Sequence, residues 1–139
     1  MRVSGLLLIS VAFFAFSARA QDISVTIEKI VPNEIISGKV TGLPPAERES
    51  YKVVVYVKTD QWYIHPFASG GDGRSYASVT ATGDWRIQTV QREFPAERMA
   101  AIVVRRSDVV PERAQSIAAI RSVALAVREL RGTPDYGGL

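Results

Sequence analysis

The stretch YKVVVYVKT, residues 51 to 59, constrains the fold more than any other part of the chain. It is a run of β-branched and aromatic residues with almost no polar alternation in its middle. Such a run fits a central strand covered on both faces, or one passing from core to rim. Around it, apolar residues recur with period two, the pattern of half-buried strands. In ISVTIEKIV, Ile23, Val25 and Ile27 fall on one side, with Ser24, Thr26 and Glu28 on the other. Pro32-Asn33 ends that strand and IISGKVTGL supplies the next, before a polar loop at Pro44-Pro45-AERES.

Further along, SYASVT, the turn ATGD and WRIQTV read as a hairpin, with Gly83 available for positive φ. QREFPAER is a connection and MAAIVVRR a further buried strand. PERAQSIAAI predicts a short helix, with proline at a first helical position and apolar residues at Ile117, Ala118 and Ile120. VALAVRELR reads as a closing strand with Val123, Leu125 and Val127 inward. A helix through the same residues is the rival, because Ala, Leu, Arg and Glu are good helix formers. Together these predict an all-β fold: an immunoglobulin-like antiparallel β-sandwich of seven to nine short strands with one short helix near the C-terminus.

The first twenty residues have a separate logic. MRVSG, then LLLISVAFFAF, then SARA combine a basic start, a short apolar stretch and a small-x-small end, which is the pattern of a secretory signal peptide. The apolar run is shorter than the roughly 20 residues of a membrane span. Cleavage after Ala20 makes Gln21 the new N-terminus; an uncleaved N-terminal anchor is the alternative. The expected organisation is a signal peptide over 1–20, one domain over 21–132 and a flexible tail over 133–139. The mature chain is expected in a bacterial periplasm or secreted, not membrane-spanning once the signal is removed.

Removing the leader changes the charge argument. The full chain carries 17 basic and 14 acidic residues. Arg2 and Arg19 leave with the leader, so 15 basic residues face 14 acidic ones and no basic stripe remains along the sequence. Nucleic acid is disfavoured as a partner, because its recognition draws on clustered Lys and Arg. The chain has no cysteine. Disulfides, thiolate metal sites, thiol nucleophiles and a lipidated cysteine are all excluded, and stability must come from packing.

YKVVVYVKTDQWYIHPF, SYASVTATGDWRIQTV and MAAIVVRR together resemble small bacterial exported β-sandwich domains with a Val-rich strand, a Trp-x-x-x-Pro element, a Gly-x-Trp hairpin and a late Ala-x-x-Val strand. Trp62 with Pro66 and Gly83 with Trp85 carry the match. The resemblance implies an accessory module of secreted or surface proteins, some of them beside polysaccharide-active enzymes. It carries over no catalytic residue, and VALAVREL fits its final strand.

Catalytic chemistry finds little to work with. His65 is the only histidine, and neither Ser69 nor Ser75 nearby sits in a nucleophile-elbow pattern. One histidine also falls short of the three or more ligands usual at zinc. Asp60, Asp72, Asp84 and Glu93 could pair as acid and base, yet Asp60, Asp72 and Asp84 occupy turn positions that favour aspartate anyway. Gly70-Gly71-Asp72-Gly73 lacks both the acidic spacing of an EF-hand and the Lys-Ser/Thr of a phosphate loop. The expectation is therefore no enzyme, no metal and no cofactor.

Strand parity singles out a ligand-binding set. With Trp62, Ile64, Ala77, Val79, Trp85 and Ile87 inward, Tyr63, His65, Phe67, Tyr76, Arg86 and Gln88 project the other way. Aromatic rings beside hydrogen-bond donors suit sugars, whose C–H faces stack while their hydroxyls need polar partners. The expected function is a non-catalytic binding module of the cell envelope or extracellular space with polysaccharide or envelope glycan as ligand. An interaction or assembly subunit, meeting an envelope protein through a sheet face or edge, is the alternative, and a small hydrolase using His65 a third reading.

Overall fold

The computed structural model describes residues 22–66, 75–89 and 96–131. The expected leader, Phe67 and the expected tail over 133–139 lie outside the described residues. Two antiparallel sheets account for the fold, so the all-β expectation holds at that level.

The first sheet centres on β3 (Ile35–Thr41). One edge of β3 pairs with β7 (Asp84–Gln88), the other with β1 (Ser24–Val25) and β2 (Lys29–Val31). β1 and β2 are one strand interrupted by a bulge: Val25 lies opposite Val40 and Lys29 opposite Ser37, so three residues face two. The backbone N–H groups of Thr26 and Glu28 still reach Lys39 O and Ser37 O at 2.8 Å. The bulge shifts the alternation, so Ile23 and Ile27 are joined against the core by Ile30. β2 turns into β3 through Pro32-Asn33, where Asn33 takes φ 61° and Glu34 N–H bonds Val31 O at 3.0 Å.

The second sheet runs in the order β10 (Ala126–Arg131), β8 (Arg98–Arg105), β4 (Tyr51–Lys58), β5 (Trp62–Ile64), β9 (Arg113–Ala114). β6 (Ala77–Ser78) pairs with the start of β4 on the edge that β5 takes further along. Tyr51, Val53, Val55 and Val57 of β4, with Met99, Ala101 and Val103 of β8, meet Ile36, Val40, Trp85 and Ile87 of the first sheet. Val54 and Tyr56, with Ala100, Ile102 and Val104, face the opposite way into a second cluster with Trp62, Ile64 and Ile120. That second cluster is roofed by the chain after β8, which carries β9 and α1 (Ile117–Val123). β4 is thus covered on both faces, and Val53 to Val57 are all within 1% of full burial. This is the physical reason the run lacks alternation.

Four details differ from the sequence reading. The described residues hold ten strand segments rather than seven to nine, partly because the bulge divides the first strand. The SYASVT and WRIQTV segments form no hydrogen-bonded hairpin ladder: β6 joins the second sheet and β7 the first, so the turn at 80–84 crosses between sheets. Pro111 does not start the helix; α1 begins six residues later, and Pro111 O instead accepts the Tyr56 hydroxyl at 2.6 Å. Residues 126–131 settle as strand, since each pairs in register with β8, but Val123 ends α1 instead, and Val123 and Leu125 are exposed rather than inward, with Val127 packed on the second cluster. Among the described residues no helix is long and apolar enough to cross a membrane.

Candidate functional site

β7 presents Arg86 and Gln88 to solvent because Trp85 and Ile87, one residue out of phase, fill the core between the sheets. Register sets Ser37 opposite Arg86 and Ile35 opposite Gln88, which extends the same outer face onto β3. The Pro32–Glu34 turn adds Asn33 and Glu34 above them. Arg86, Gln88, Asn33, Glu34 and Ile35 line one open hollow of about 550 Å³, within the roughly 300–1,000 Å³ of ligand clefts.

The chemistry of the hollow is that of hydrogen bonding. Arg86 offers a five-donor guanidinium, Gln88 and Asn33 offer amides that both donate and accept, and Glu34 accepts. None of these four side chains is engaged in a hydrogen bond or ion pair among the described residues. The backbone beneath them is fixed, since Glu34 O accepts Thr89 N–H at 3.0 Å and β7 is laddered to β3 over five residues. Arg86 and Gln88 are thus the two members of the sequence-derived set that the fold brings together. Asn33 and Glu34 were missed because they sit in a turn 52 or more positions away in the chain; only the β3–β7 pairing joins them.

The other members go elsewhere. Tyr63 is half-buried on β5, and its hydroxyl donates to Asp60 Oδ2 at 3.2 Å. Hydrogen bonds from Thr59 and then Tyr63 hold the Asp60 carboxyl below its ordinary range despite some desolvation. Tyr76 is half-buried against the second cluster, with the Lys52 ammonium 5.2 Å from its ring centre. That places it on the outer face of the second sheet, away from Arg86 and Gln88. Desolvation lowers the Lys52 pKa, with Arg106 adding to this and Asp108 opposing it.

His65 corrects the parity argument. It does point away from Trp62 and Ile64, but that side of β5 faces the interior, where it is 2% exposed. Its Nε2 lies 2.6 Å from Thr89 Oγ1, which joins the end of β5 to the end of β7 across the sheets. Buried in this way, the ring is a structural tie rather than an outward ligand contact. The same burial counts against His65 as a general base, which needs access to the proton it takes. Phe67 lies outside the described residues. Both tryptophans are core: Trp62 is 1% and Trp85 2% exposed, and Trp85 Nε1 donates to Thr26 O at 3.1 Å.

A second hollow, about 470 Å³, is lined by Glu49, Ser78, Val79, Thr80, Ala81 and Arg106. Its main cation is already engaged, since Arg106 Nη2 donates to Ser78 Oγ at 2.9 Å. Among the described residues no three of His, Asp and Glu converge to hold a metal ion. Comparison of the chain with protein-family models, curated proteins and solved structures finds no match in any of the three.

Proposed function

We propose that the protein is a non-catalytic binding module that acts in the cell envelope or outside the cell and takes a glycan at the Arg86–Gln88–Asn33–Glu34 hollow. The observation that supports this reading is the convergence of a guanidinium, two amides and a carboxylate, all free to bond a ligand, on one rigid sheet face. Sugar hydroxyls both donate and accept, and this mixture answers both demands. Among the described residues no tyrosine lines the hollow, and the contacts it offers a sugar are hydrogen bonds. The leader-like sequence over 1–20 supports the location, and the two sheets sharing a core support an immunoglobulin-like sandwich as the finer architecture. Polysaccharide pulldown and glycan-array binding of the mature protein test the reading. The expected outcome is retention on at least one polysaccharide, weakened tenfold or more by R86A or Q88A. Failure to bind any polysaccharide, or unchanged binding by both variants, would overturn it.

A second reading, an interaction subunit for an envelope protein, draws on the margin of the second sheet. Val123 and Leu125 are 40% and 45% exposed where the chain enters β10, an end strand of the sheet. Under it, L125D abolishes a stoichiometric complex in size-exclusion chromatography, and sugars do not compete.

A further inference from the structure

The outer face of the second sheet ends in a row set by register. Arg131 lies opposite Arg98, Arg98 opposite Lys58, and Lys58 opposite Trp62. Residues directly opposite one another in a ladder project to the same face, so three cations and an indole stand side by side. The Arg98 guanidinium lies 5.4 Å from the Trp62 ring centre. α1, lying over this face, brings in Arg121. Two positions back along β10, on the same face, is Glu129.

Glu129 is the hub of the group. Its Oε1 accepts from Arg98 Nε at 2.7 Å, from Arg98 Nη2, and from Arg131 Nε at 3.1 Å. Its Oε2 accepts from Arg121 Nη2 at 3.4 Å. The Glu129 side chain is 7% exposed, whereas those of Arg121 and Arg131 are 53% and 69% exposed. Lys58 makes a longer contact, 3.9 Å, to Glu97.

One guanidinium neutralises one carboxylate, and Arg98 already does so, with two hydrogen bonds to Oε1. Arg121 and Arg131 add like charge to the same spot, which is unfavourable unless something else shares it. Each also spends only one nitrogen on Glu129. Both terminal nitrogens of Arg131, and Nε and Nη1 of Arg121, bond no other group among the described residues. The terminal pair of Arg131 is a fork that matches the paired oxygens of carboxylate, sulfate and phosphate, and Arg121 keeps Nη1 beside the second hydrogen of Nη2 for the same use.

We propose that Arg121 and Arg131 form an oxyanion-binding site, with Glu129 as the positioning residue that tethers one nitrogen of each through its two carboxylate oxygens and Arg98 completing the positive ground behind them. The site takes a single sulfate, phosphate or carboxylate group. It is separate from the hollow on β7 and does not depend on the glycan reading. The group can be a free ion or a substituent on an acidic polysaccharide, since the chemistry recognised is the same.

The test is a titration of the full mature chain, following the arginine Nε–Hε signals by NMR. Sodium sulfate and sodium phosphate are compared with sodium chloride at equal ionic strength. The expected result is a saturable shift of the Arg121 and Arg131 signals with sulfate or phosphate, absent with chloride. R121A and R131A, both at exposed positions, are expected to weaken it at least tenfold, while R128A, an exposed arginine on the same strand but the other face, leaves it unchanged. Polygalacturonate binding tenfold tighter per carboxylate than acetate identifies a polymer as the source; equal binding identifies the free ion. Shifts that follow ionic strength alike in sulfate and chloride, or R121A and R131A binding as the parent does, would overturn the proposal.

Discussion

At Gly38 two backbones approach so closely that no side chain fits. A Cβ there would lie 1.9 Å from Thr26 O, the carbonyl that also accepts the Trp85 indole N–H. The bulge at 26–28 folds over β3 at this point, so displacing Thr26 also strips a buried tryptophan of its partner. G38A is expected to cost about 3 kcal/mol or more, the upper end of what overpacking inflicts, read as a lowered urea midpoint. Nothing in IISGKVT announces this, since the neighbour is fixed by a bulge twelve residues back. Alternation separated Trp85 and Ile87 from Arg86 and Gln88, and the size of the two tryptophans was the argument for placing them inward. His65 was not, because parity tells which residues share a face but not whether that face meets water or a second sheet. T89V, which removes the hydroxyl 2.6 Å from His65 Nε2 in the interior, is expected to lower stability by roughly 1–3 kcal/mol, checked by the same measurement.

Among the elements, α1 depends most on its surroundings. Seven residues are too few for a helix to persist alone in water. It is held by Ile120, fully buried in the second cluster, and by Ser116, whose hydroxyl accepts Ala119 N–H at 3.3 Å. S116A is expected to cost about 1 kcal/mol, with the loss appearing in hydrogen exchange of α1 before that of β8. The helix was legible from its apolar residues, but its start was not: Pro111 is a good first-turn residue that tertiary contacts instead use as the acceptor for Tyr56. Strand character was read correctly in β4 and β8, whose apolar runs have no other explanation. Pairing was not, because the ATGD turn would suit a hairpin, and only the competition of β3 for β7 makes it an arch between sheets.

Over the whole molecule, charge is distributed in a way the linear sequence conceals. Lys58, Arg98, Arg121 and Arg131 come from four separate segments, so no basic stripe is visible until β4, β8 and β10 align and α1 is laid across them. Glu129 links this cluster to stability. Burial opposes its charge, but hydrogen bonds from Arg98 and Arg131 and the charges of both more than offset that, so its pKa lies below the ordinary glutamate value of about 4.5. A carboxylate with a depressed folded-state pKa stabilises the fold above its unfolded pKa, and this is lost as pH falls through the folded one. The Glu129 contribution is therefore expected to be constant from neutrality to about pH 5 and to fade below about pH 4.5. Denaturant midpoints taken across that range should fall more steeply for the parent than for E129Q, which starts lower at pH 7.

The burial of β4 on both sides has a price during any passage through an unfolded state. VVVYV is uncharged, rich in β-branched residues and free of proline and glycine, the composition of a segment that stacks with copies of itself. Lys52 and Lys58 bracket it, one at each end of the strand. In the finished fold they serve other partners, Lys52 at Asp108 O and Lys58 near Glu97. In an unfolded chain their charges are what keeps neighbouring molecules apart until β8 and β5 have closed over both edges of the segment.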